Sequence, residues 1–223
     1  MQSFFITGTD TEVGKTYFTA RLMHTLAQNE VKVAGYKPVA AGCEVINDEL
    51  VNEDALAIYE ACNVPVTLQQ VNPVALIPPI APHIAANKAG ITLELQQLID
   101  GYWCLASFQP DVLLMEGAGG WQLPLGNNLW MPDVVKQLQL PVIMVVGMRL
   151  GCLNHALLTA QAIRQTGLPL HGWVANQLSQ QPMPYYAENL ATLREALPEP
   201  LLAELPFEAD YTKPLPALRN ILG

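Results

Sequence analysis

Short apolar runs alternate with longer amphipathic stretches along most of this chain. The apolar runs are continuous, which is typical of strands that are covered on both faces of a parallel sheet. We predict strands at residues 4–7, 31–37, 112–116, 142–147, 170–176 and 201–205. The amphipathic stretches predict helices at residues 15–28, 54–62, 93–107, 132–139, 153–166 and 187–197. This order predicts an α/β fold in which one doubly wound, mostly parallel sheet is flanked by helices.

The proline-rich stretch at residues 71–82 interrupts the alternation. Proline removes a backbone donor, so this composition fits neither a helix nor a central strand. Two interpretations stay open for it, a surface connection or a wall of the active site. No linker, repeat or low-complexity tract divides the chain, which predicts a single domain over residues 1–223.

The loop at residues 8–16 carries the most specific chemistry, because it joins the first strand to the first helix between two glycines. Backbone N–H groups of such a loop and of the helix N-terminus converge on phosphate oxygens. Lys15 is suited to bridging the outer phosphates of a nucleotide, and Thr16 to holding a magnesium ion. Five residues separate Gly8 from Gly14, one more than the usual pattern has.

Polar residues also follow the other predicted strands, and the carboxyl ends of parallel strands bind ligands. Glu116 stands where nucleotide-hydrolysing proteins orient magnesium, and a small-residue stretch after it lets a ligand approach the backbone. Lys37 ends the second strand, so a second ammonium beside Lys15 predicts a ligand with more negative charge than one phosphate chain. Asp54 fits an ordinary helix-terminal acid as well as a third magnesium ligand.

Two further features at this edge are suited to binding a ligand. The helix start at residues 150–154 is suited to a carboxylate or phosphate, although an ordinary helix start fits it equally. Asn176 offers a donor and an acceptor, which suits the edge of a purine.

Composition and charge narrow the class of protein. Apolar residues make up 51 % of the chain, and its net charge is −9. The negative charge argues against a nonspecific nucleic-acid binder. The four cysteines form no close pair and the histidines show no metal-ligand spacing, so we expect reduced thiols in a cytoplasm. No apolar stretch approaches the roughly 18 residues of a spanning helix, and no leader precedes the first strand, so we expect no membrane association.

Five motifs in order, spanning the chain to about residue 206, resemble dethiobiotin synthetase, a family with a P-loop NTPase-like fold. They are Gly-Thr-Asp-Thr-Glu-Val-Gly-Lys-Thr at 8–16, Ala-Gly-Tyr-Lys-Pro-Val at 34–39, Glu-Gly-Ala-Gly-Gly at 116–120, Leu-Gly-Cys-Leu-Asn-His at 150–155 and Gly-Trp-Val-Ala-Asn at 172–176. The longer phosphate loop is a feature of that family. The resemblance implies that ATP and magnesium drive insertion of CO2 between the two amines of 7,8-diaminononanoate. A carbamate forms, ATP phosphorylates it, and the second amine closes the cyclic urea, releasing ADP and phosphate.

The resemblance also implies roles for individual residues. The catalytic group comprises Thr11, Glu12, Lys15 and Lys37, and the magnesium ligands would be Thr16, Asp54 and Glu116. Residues near the nucleotide would be Glu12, Val13, Gly14, Lys15, Thr16, Tyr17, Asp54, Glu116, Gly117, Ala118, Gly119, Asn176 and Gln177, with Pro206, Phe207 and Glu208 beside the adenine. Residues near the diamine acid would be Thr11, Lys37, Ala41, Gly119, Leu150, Gly151, Cys152 and Asn154. The family forms each site from two subunits, so we expect a homodimer with residues 150–154 receiving the substrate carboxylate across its interface.

Two departures from the family pattern lie on the diamine side. Ala41 replaces an expected serine, a change worth about 1 kcal/mol of binding if water replaces the hydroxyl. The tyrosine expected near residues 187–189 is displaced to Tyr185 and Tyr186. A diverged paralogue with a related diamine acid substrate therefore stays an alternative.

Two other classes share this fold. Partitioning ATPases carry a lysine early in the phosphate loop, where this chain has Asp10. This difference argues against that class. Cobyrinate-amidating ligases commonly need a fused glutaminase domain, for which 223 residues leave no room.

Overall fold

The computed structural model describes residues 1–207 together with residues 210, 213 and 215. Its strands are β1 Gln2–Gly8, β2 Val33–Tyr36, β3 Val39–Ala41, β4 Glu44–Ile46, β5 Glu49–Val51, β6 Val74–Leu76, β7 Val112–Gly120, β8 Pro124–Gly126, β9 Leu129–Trp130, β10 Val142–Met148, β11 Leu170–Gln177 and β12 Leu201–Leu205. Its helices are α1 Lys15–Gln28, α2 Glu53–Glu60, α3 Leu68–Val71, α4 Pro82–Lys88, α5 Leu95–Ala106, α6 Met131–Leu138, α7 Cys152–Gln165 and α8 Tyr186–Ala196.

Six parallel strands form the central sheet in the order β12-β11-β10-β1-β7-β2. Helix α1 packs on β1, β2 and β7, helix α5 on β2 and β7, and helix α7 on β10 and β11. The predicted α/β fold with a parallel sheet flanked by helices is confirmed. No helix in the described part of the chain combines the length and apolar character needed to span a membrane.

Continuous burial explains why the strands could be predicted. Every residue of β10 is buried, and β1 is buried from Phe4 to Gly8. Strand β1 lies between β10 and β7, with Phe5 opposite both Val142 and Met115. A strand with sheet on both edges and helices on both faces excludes water from every position, so it needs apolar residues throughout.

The strand order places the phosphate loop at the middle of the sheet. After β1 the chain crosses to the edge strand β2, returns to β7 beside β1, and then crosses to β10 on the other side of β1. The connection after β1 therefore lies where the direction of winding reverses, which is where ligands bind in open α/β sheets.

Two predictions about local structure were incomplete, and one helix was not predicted. Strand β7 continues to Gly120, past the predicted end at Glu116, because Gly120 pairs with Gly8 beyond an irregularity in the β1–β7 register. The proline-rich stretch contains β6, which pairs with β3 in a separate two-stranded sheet and so stays outside the central sheet as predicted. Helix α4 begins at Pro82, in its first turn, where a missing N–H costs no hydrogen bond.

Candidate active site

The phosphate loop joins β1 to α1 at the carboxyl edge of the sheet. Gly14 has a left-handed backbone, with φ of 87°, and precedes α1, which begins at Lys15 without a side-chain cap. The first N–H groups of this helix therefore have no side-chain acceptor and are suited to an anion. The Lys15 side chain is buried and reaches back to donate a hydrogen bond to the carbonyl oxygen of Asp10 at 3.3 Å.

Asn176, which lies in strand β11, is hydrogen-bonded to the phosphate loop. Its Nδ2 donates a hydrogen bond to the carbonyl oxygen of Val13 at 3.0 Å. A side chain at Gly14 would meet that amide, since an ideal Cβ there would lie 2.1 Å from Nδ2. Oδ1 of Asn176 is buried and has no hydrogen-bond partner among the described residues, so this oxygen is the part of the side chain that can accept from a purine amino group.

Glu116 is the centre of a polar cluster beside the loop. The Thr16 hydroxyl and the Lys37 ammonium both donate hydrogen bonds to its Oε1, each at 2.7 Å. Lys37 also lies 3.4 Å from Oδ2 of Asp54, whose side chain is about half exposed. The predicted site residues Thr16, Lys37, Asp54 and Glu116 therefore meet, although they come from α1, the end of β2, α2 and β7.

The charges of this cluster are mutually dependent. Burial by itself would lower the pKa of Lys37, but the carboxylates of Glu116 and Asp54 outweigh it and raise that pKa above its ordinary value. Burial would raise the pKa of Asp54, but Lys37 and a hydrogen bond with Thr16 outweigh it and lower that pKa. Lys15 differs, because burial dominates and, with the repulsion of Lys37, lowers its pKa despite nearby carboxylates.

The backbone of Lys37 is fixed by the proline-rich stretch. The amide of Asn72 donates to the carbonyl oxygen of Lys37 at 2.6 Å, and the N–H of Lys37 donates to the carbonyl oxygen of Val71 at 2.8 Å. Asn72 was not predicted from the sequence to belong to this site. The available signal in the sequence was a polar residue inside the otherwise apolar, proline-rich stretch at residues 71–82.

Arg149 is a second residue that the sequence analysis did not place in the site. Its guanidinium forms an ion pair with Oδ2 of Asp10, while Oδ1 of Asp10 accepts from the N–H of Thr11 at 2.8 Å. Both charged side chains are partly exposed. The pair links the phosphate loop to the segment after β10, and the position of Arg149 at a strand end was the signal for it.

Thr11 and Glu12 lie at the exposed tip of the loop, where Glu12 has a left-handed backbone with φ of 56°. Gly119 is close to this tip, since a Cβ there would lie 3.5 Å from the Thr11 hydroxyl. Gly117 instead faces the core, where an added Cβ would lie 2.8 Å from the Phe5 ring. Val13 is also buried. Gly117 and Val13 can therefore contact a nucleotide only through their backbone atoms.

Ala41 ends β3, and its carbonyl oxygen accepts a hydrogen bond from Asn52 at 3.1 Å. Asn52 also caps α2, where its side chain accepts from the N–H of Ala55, so Ala41 and the helix carrying Asp54 are joined. The nearby Cys43 is buried and directs its Sγ to the carbonyl oxygen of Ala40. Cys43 therefore does not replace the hydroxyl that a serine at position 41 would supply.

The segment before α7 is the most exposed apolar part of the candidate site. Leu150 is 95 % exposed, and Gly151 has a left-handed backbone with φ of 95° directly before the helix. Asn154 is exposed, whereas Cys152 is buried, which raises the pKa of its thiol. The Cys152 side chain is therefore not available to a ligand, and its backbone N–H already donates to the carbonyl oxygen of Arg149 at 2.9 Å.

The predicted adenine side is only partly described. Gln177 turns its amide to the carbonyl oxygens of Ser179 and Gln180, at 2.7 and 3.2 Å. Tyr17 is half-buried in the first turn of α1. Pro206 and Phe207 follow β12 and are exposed, and Glu208 lies outside the described residues.

Comparison with known proteins gives consistent matches over nearly the whole chain. Residues 2–215 match a family model described as an AAA domain. The ATP-dependent dethiobiotin synthetase BioD of Alteromonas mediterranea is 55 % identical over 218 residues, covering 93 % of each chain. The protein of that name from Aeromonas hydrophila is 50 % identical over 207 residues, covering 93 % of this chain and 91 % of its own.

Solved structures with the same fold are much more distant in sequence. A ParA family ATPase from Chlorobium tepidum has a TM-score of 0.57 at 12 % identity, covering 95 % of this chain and 87 % of its own. The MinC:MinD cell division protein complex of Aquifex aeolicus has a TM-score of 0.57 at 15 % identity, covering 95 % of this chain and 85 % of its own. At these identities the likeness shows the fold alone.

Proposed function

The chain belongs to the family of ATP-dependent dethiobiotin synthetases, and on this premise we propose that it is the cyclo-ligase that converts 7,8-diaminononanoate, CO2 and ATP into dethiobiotin, ADP and phosphate. We further propose that residues 1–223 form one synthetase domain. The observation that carries the proposal is the meeting of Lys37, Thr16, Asp54 and Glu116 beside the phosphate loop. It supports a site for a nucleotide, a metal and a second anion together.

Magnesium fits the oxygen atoms of this cluster. Oε2 of Glu116 is buried and has no hydrogen-bond partner among the described residues. The Thr16 hydroxyl lies beside both Glu116 and the Asp54 carboxylate, and together they complete a set of hard oxygen ligands, which this ion prefers. When bound, magnesium would neutralise charge on the β- and γ-phosphate oxygens.

The residues of the chain would divide the remaining work. The N–H groups of the loop and Lys15 would hold the phosphates, and the Thr11–Glu12 tip would lie between the γ-phosphate and the diamine. One amine of the diamine takes up CO2 and loses a proton to give a carbamate. A carbamate oxygen then displaces ADP from the γ-phosphorus, and the second amine attacks the carbonyl carbon and expels phosphate. Lys37 would stabilise the negative charge of the carbamate and the transferring group.

The proposed diamine side of the site lies at the N-terminus of α7. We propose that residues 150–154 receive the substrate carboxylate, because the N-terminus of α7 has no side-chain cap. Of the two displaced tyrosines, Tyr186 hydrogen-bonds Glu204, and burial is the main reason that its pKa is raised. Tyr185 is exposed and would be the one able to reach a ligand. A related diamine acid therefore stays the alternative substrate.

We also propose a homodimer in which this segment completes the site of the partner subunit. Leu150, Leu157 and Leu158 are exposed on and before α7, and an apolar helix face of this kind is suited to burial against a second subunit. The cytoplasmic location stays a prediction. All four cysteines are free.

A partitioning-type nucleotide switch is the less favoured class. The solved ParA and MinD structures show that the fold is shared, but the fold does not decide function. In this chain the early loop position is Asp10, which is paired with Arg149, whereas partitioning ATPases carry a lysine there.

The deciding experiment is phosphate release by the purified protein with ATP, magnesium and bicarbonate, with and without 7,8-diaminononanoate. We expect release only when the diamine is present. The Thr16→Val variant, which loses the hydroxyl donor to Glu116 at similar volume, controls for contaminating ATPase. Equal ATP turnover without the diamine would contradict the ligase assignment. Diamine acids of other chain lengths as substrates separate a dethiobiotin synthetase from a paralogue.

A further inference from the structure

We propose that Lys37 is a resident cation that competes with divalent metal for Glu116 and Asp54, so that metal enters this site together with a nucleotide and not before it. The inference rests on the proposed function, because it assumes that these carboxylates are the metal ligands of a nucleotide site. Competition with metal would be a role of Lys37 before the reaction begins, in addition to its proposed role during the reaction.

Contact geometry is the first support. The ammonium of Lys37 lies 2.7 Å from Oε1 of Glu116 and 3.4 Å from Oδ2 of Asp54. Two of the three proposed metal ligands are therefore already partnered by a positive charge. The third, Thr16, donates its proton to the same Glu116 oxygen.

Burial is the second support. Lys37 is 2 % exposed and Glu116 is 0 % exposed, so water screens this pair poorly. A metal that displaces the ammonium from Glu116 leaves a buried charge that needs another anion. A metal that binds the unpartnered Oε2 avoids displacement but lies close to the ammonium and is repelled by it.

A nucleotide can compensate the positive charge that a metal ion adds to this cluster. The cluster places two lysine side chains, Lys15 and Lys37, beside two carboxyl side chains, Asp54 and Glu116, so its formal charges balance. A divalent ion alone adds uncompensated positive charge. A triphosphate brings its own negative charge, which accepts both the metal and the released ammonium.

Local structure allows this exchange of partners. The backbone of Lys37 is hydrogen-bonded to Asn72 and Val71, so the exchange requires movement of the side chain alone. The side chain has four rotatable bonds, and a compact ammonium can change acceptors without a change in the fold. Lys37 would then turn from Glu116 to the phosphoryl group or the carbamate.

The test measures binding of Mn2+ as a probe for Mg2+, by calorimetry and by electron paramagnetic resonance, without diamine and without turnover. For the wild-type protein we expect weak Mn2+ binding alone and much tighter binding with ADP. Lys37→Gln should bind Mn2+ without nucleotide about tenfold or more tightly than wild type, because a repelling charge has been removed next to the ligands. Lys136→Gln, which removes an exposed lysine on α6, should leave Mn2+ affinity unchanged.

Two further measurements keep the test decisive. The double variant Lys37→Gln/Glu116→Gln restores the charge balance and should lose the gain in Mn2+ affinity. If Lys37→Gln is unfolded without metal, Mn2+ should restore its circular dichroism and raise its Tm by mass action. Tight Mn2+ binding by the wild-type protein without ADP would overturn the proposal, and so would unchanged or weaker binding by Lys37→Gln. Failure of the ligase assignment would appear instead in the diamine-dependent phosphate assay, which is independent of these outcomes.

Discussion

The side-chain amide of Asn176 donates a hydrogen bond to the carbonyl oxygen of Val13 at 3.0 Å, and this contact attaches the phosphate loop to β11. The loop turns at the next residue, Gly14, whose backbone is left-handed and whose missing side chain leaves room for the amide. A buried amide from one strand thus fixes the conformation of a loop that follows another.

Gly14→Ala should destabilise the protein and impair nucleotide binding. The left-handed backbone costs an alanine about 1 kcal/mol, and the close approach of Cβ to Asn176 should bring the loss to about 3 kcal/mol. Gly90→Ala is the matched control, because Gly90 has φ of 69° and no atom within 4 Å of an added Cβ. Urea unfolding measures the loss of unfolding free energy in both variants, and the difference between the two losses is the steric contribution at Gly14. Equal losses in the two variants would show that the contact with Asn176 is unimportant.

Lys37→Gln should reduce turnover far more than it weakens ATP binding. The lost ammonium would act on charge that develops during the reaction, so we expect kcat to fall by about 10²- to 10³-fold. Steady-state kinetics with the diamine, together with calorimetric titration of ADP, separate the two effects. Survival of turnover in Lys37→Gln would contradict the role proposed for this residue in the reaction.

Glu199→Gln should lower stability near neutral pH and have little effect in acid. The hydrogen-bonded Arg164 guanidinium holds the pKa of Glu199 below its ordinary value. A carboxylate with a lowered folded-state pKa stabilises the protein above its unfolded pKa of about 4.3, and this contribution is lost as the pH falls through the folded-state pKa.

The expected loss at pH 7 is about 1 kcal/mol, because the Arg164 side chain is partly exposed. Urea unfolding at about pH 7 and about pH 3.5 measures it. Glu195→Gln removes an exposed carboxylate from α8 and serves as the control. A difference from wild type that stays constant with pH would show that Glu199 acts through packing.

One thiol should react much faster than the other three in the folded protein. Cys104 is exposed on α5, whereas Cys43 and Cys152 are buried. Burial also raises the pKa of Cys62 to about 11, which leaves little of the reactive thiolate at neutral pH. A disulfide reagent should therefore show a fast phase of one thiol, and Cys104→Ser should abolish that phase alone. Two fast thiols in the wild-type protein would contradict this order.

Leu158→Asp should weaken the proposed dimer. Leu158 is 58 % exposed on α7, and burial of its exposed part contributes about 1–2 kcal/mol for each subunit. A two-fold axis applies the loss twice. Sedimentation should show more monomer and a parallel loss of activity, while Ile91→Asp, an exposed apolar residue before α5, should change neither. A fully active monomer would contradict the shared site.

The sequence determined the fold class and the edge of the sheet where chemistry lies. Continuous apolar strands and the first helix were found because burial on both faces demands apolar residues at every position. Glu116, Lys37 and the phosphate loop were placed at one edge because parallel strands put all their carboxyl ends there. The small elements, such as β6 and α4, escaped prediction because their few residues carry no clear period.

The tertiary structure decided which of these residues meet. Lys37 and Glu116 are 79 positions apart in the chain, and they pair because β2 lies directly beside β7 in the sheet. The pair Asp10–Arg149 likewise joins loops that follow different strands, and the pair Val13–Asn176 joins the phosphate loop to strand β11. Strand order depends on the packing of helices across the whole sheet, whereas residue pattern reports only local burial. The sequence therefore predicted that a nucleotide binds at this edge of the sheet. The order of the strands determined that the buried ammonium of Lys37 contacts the proposed metal ligands Glu116 and Asp54.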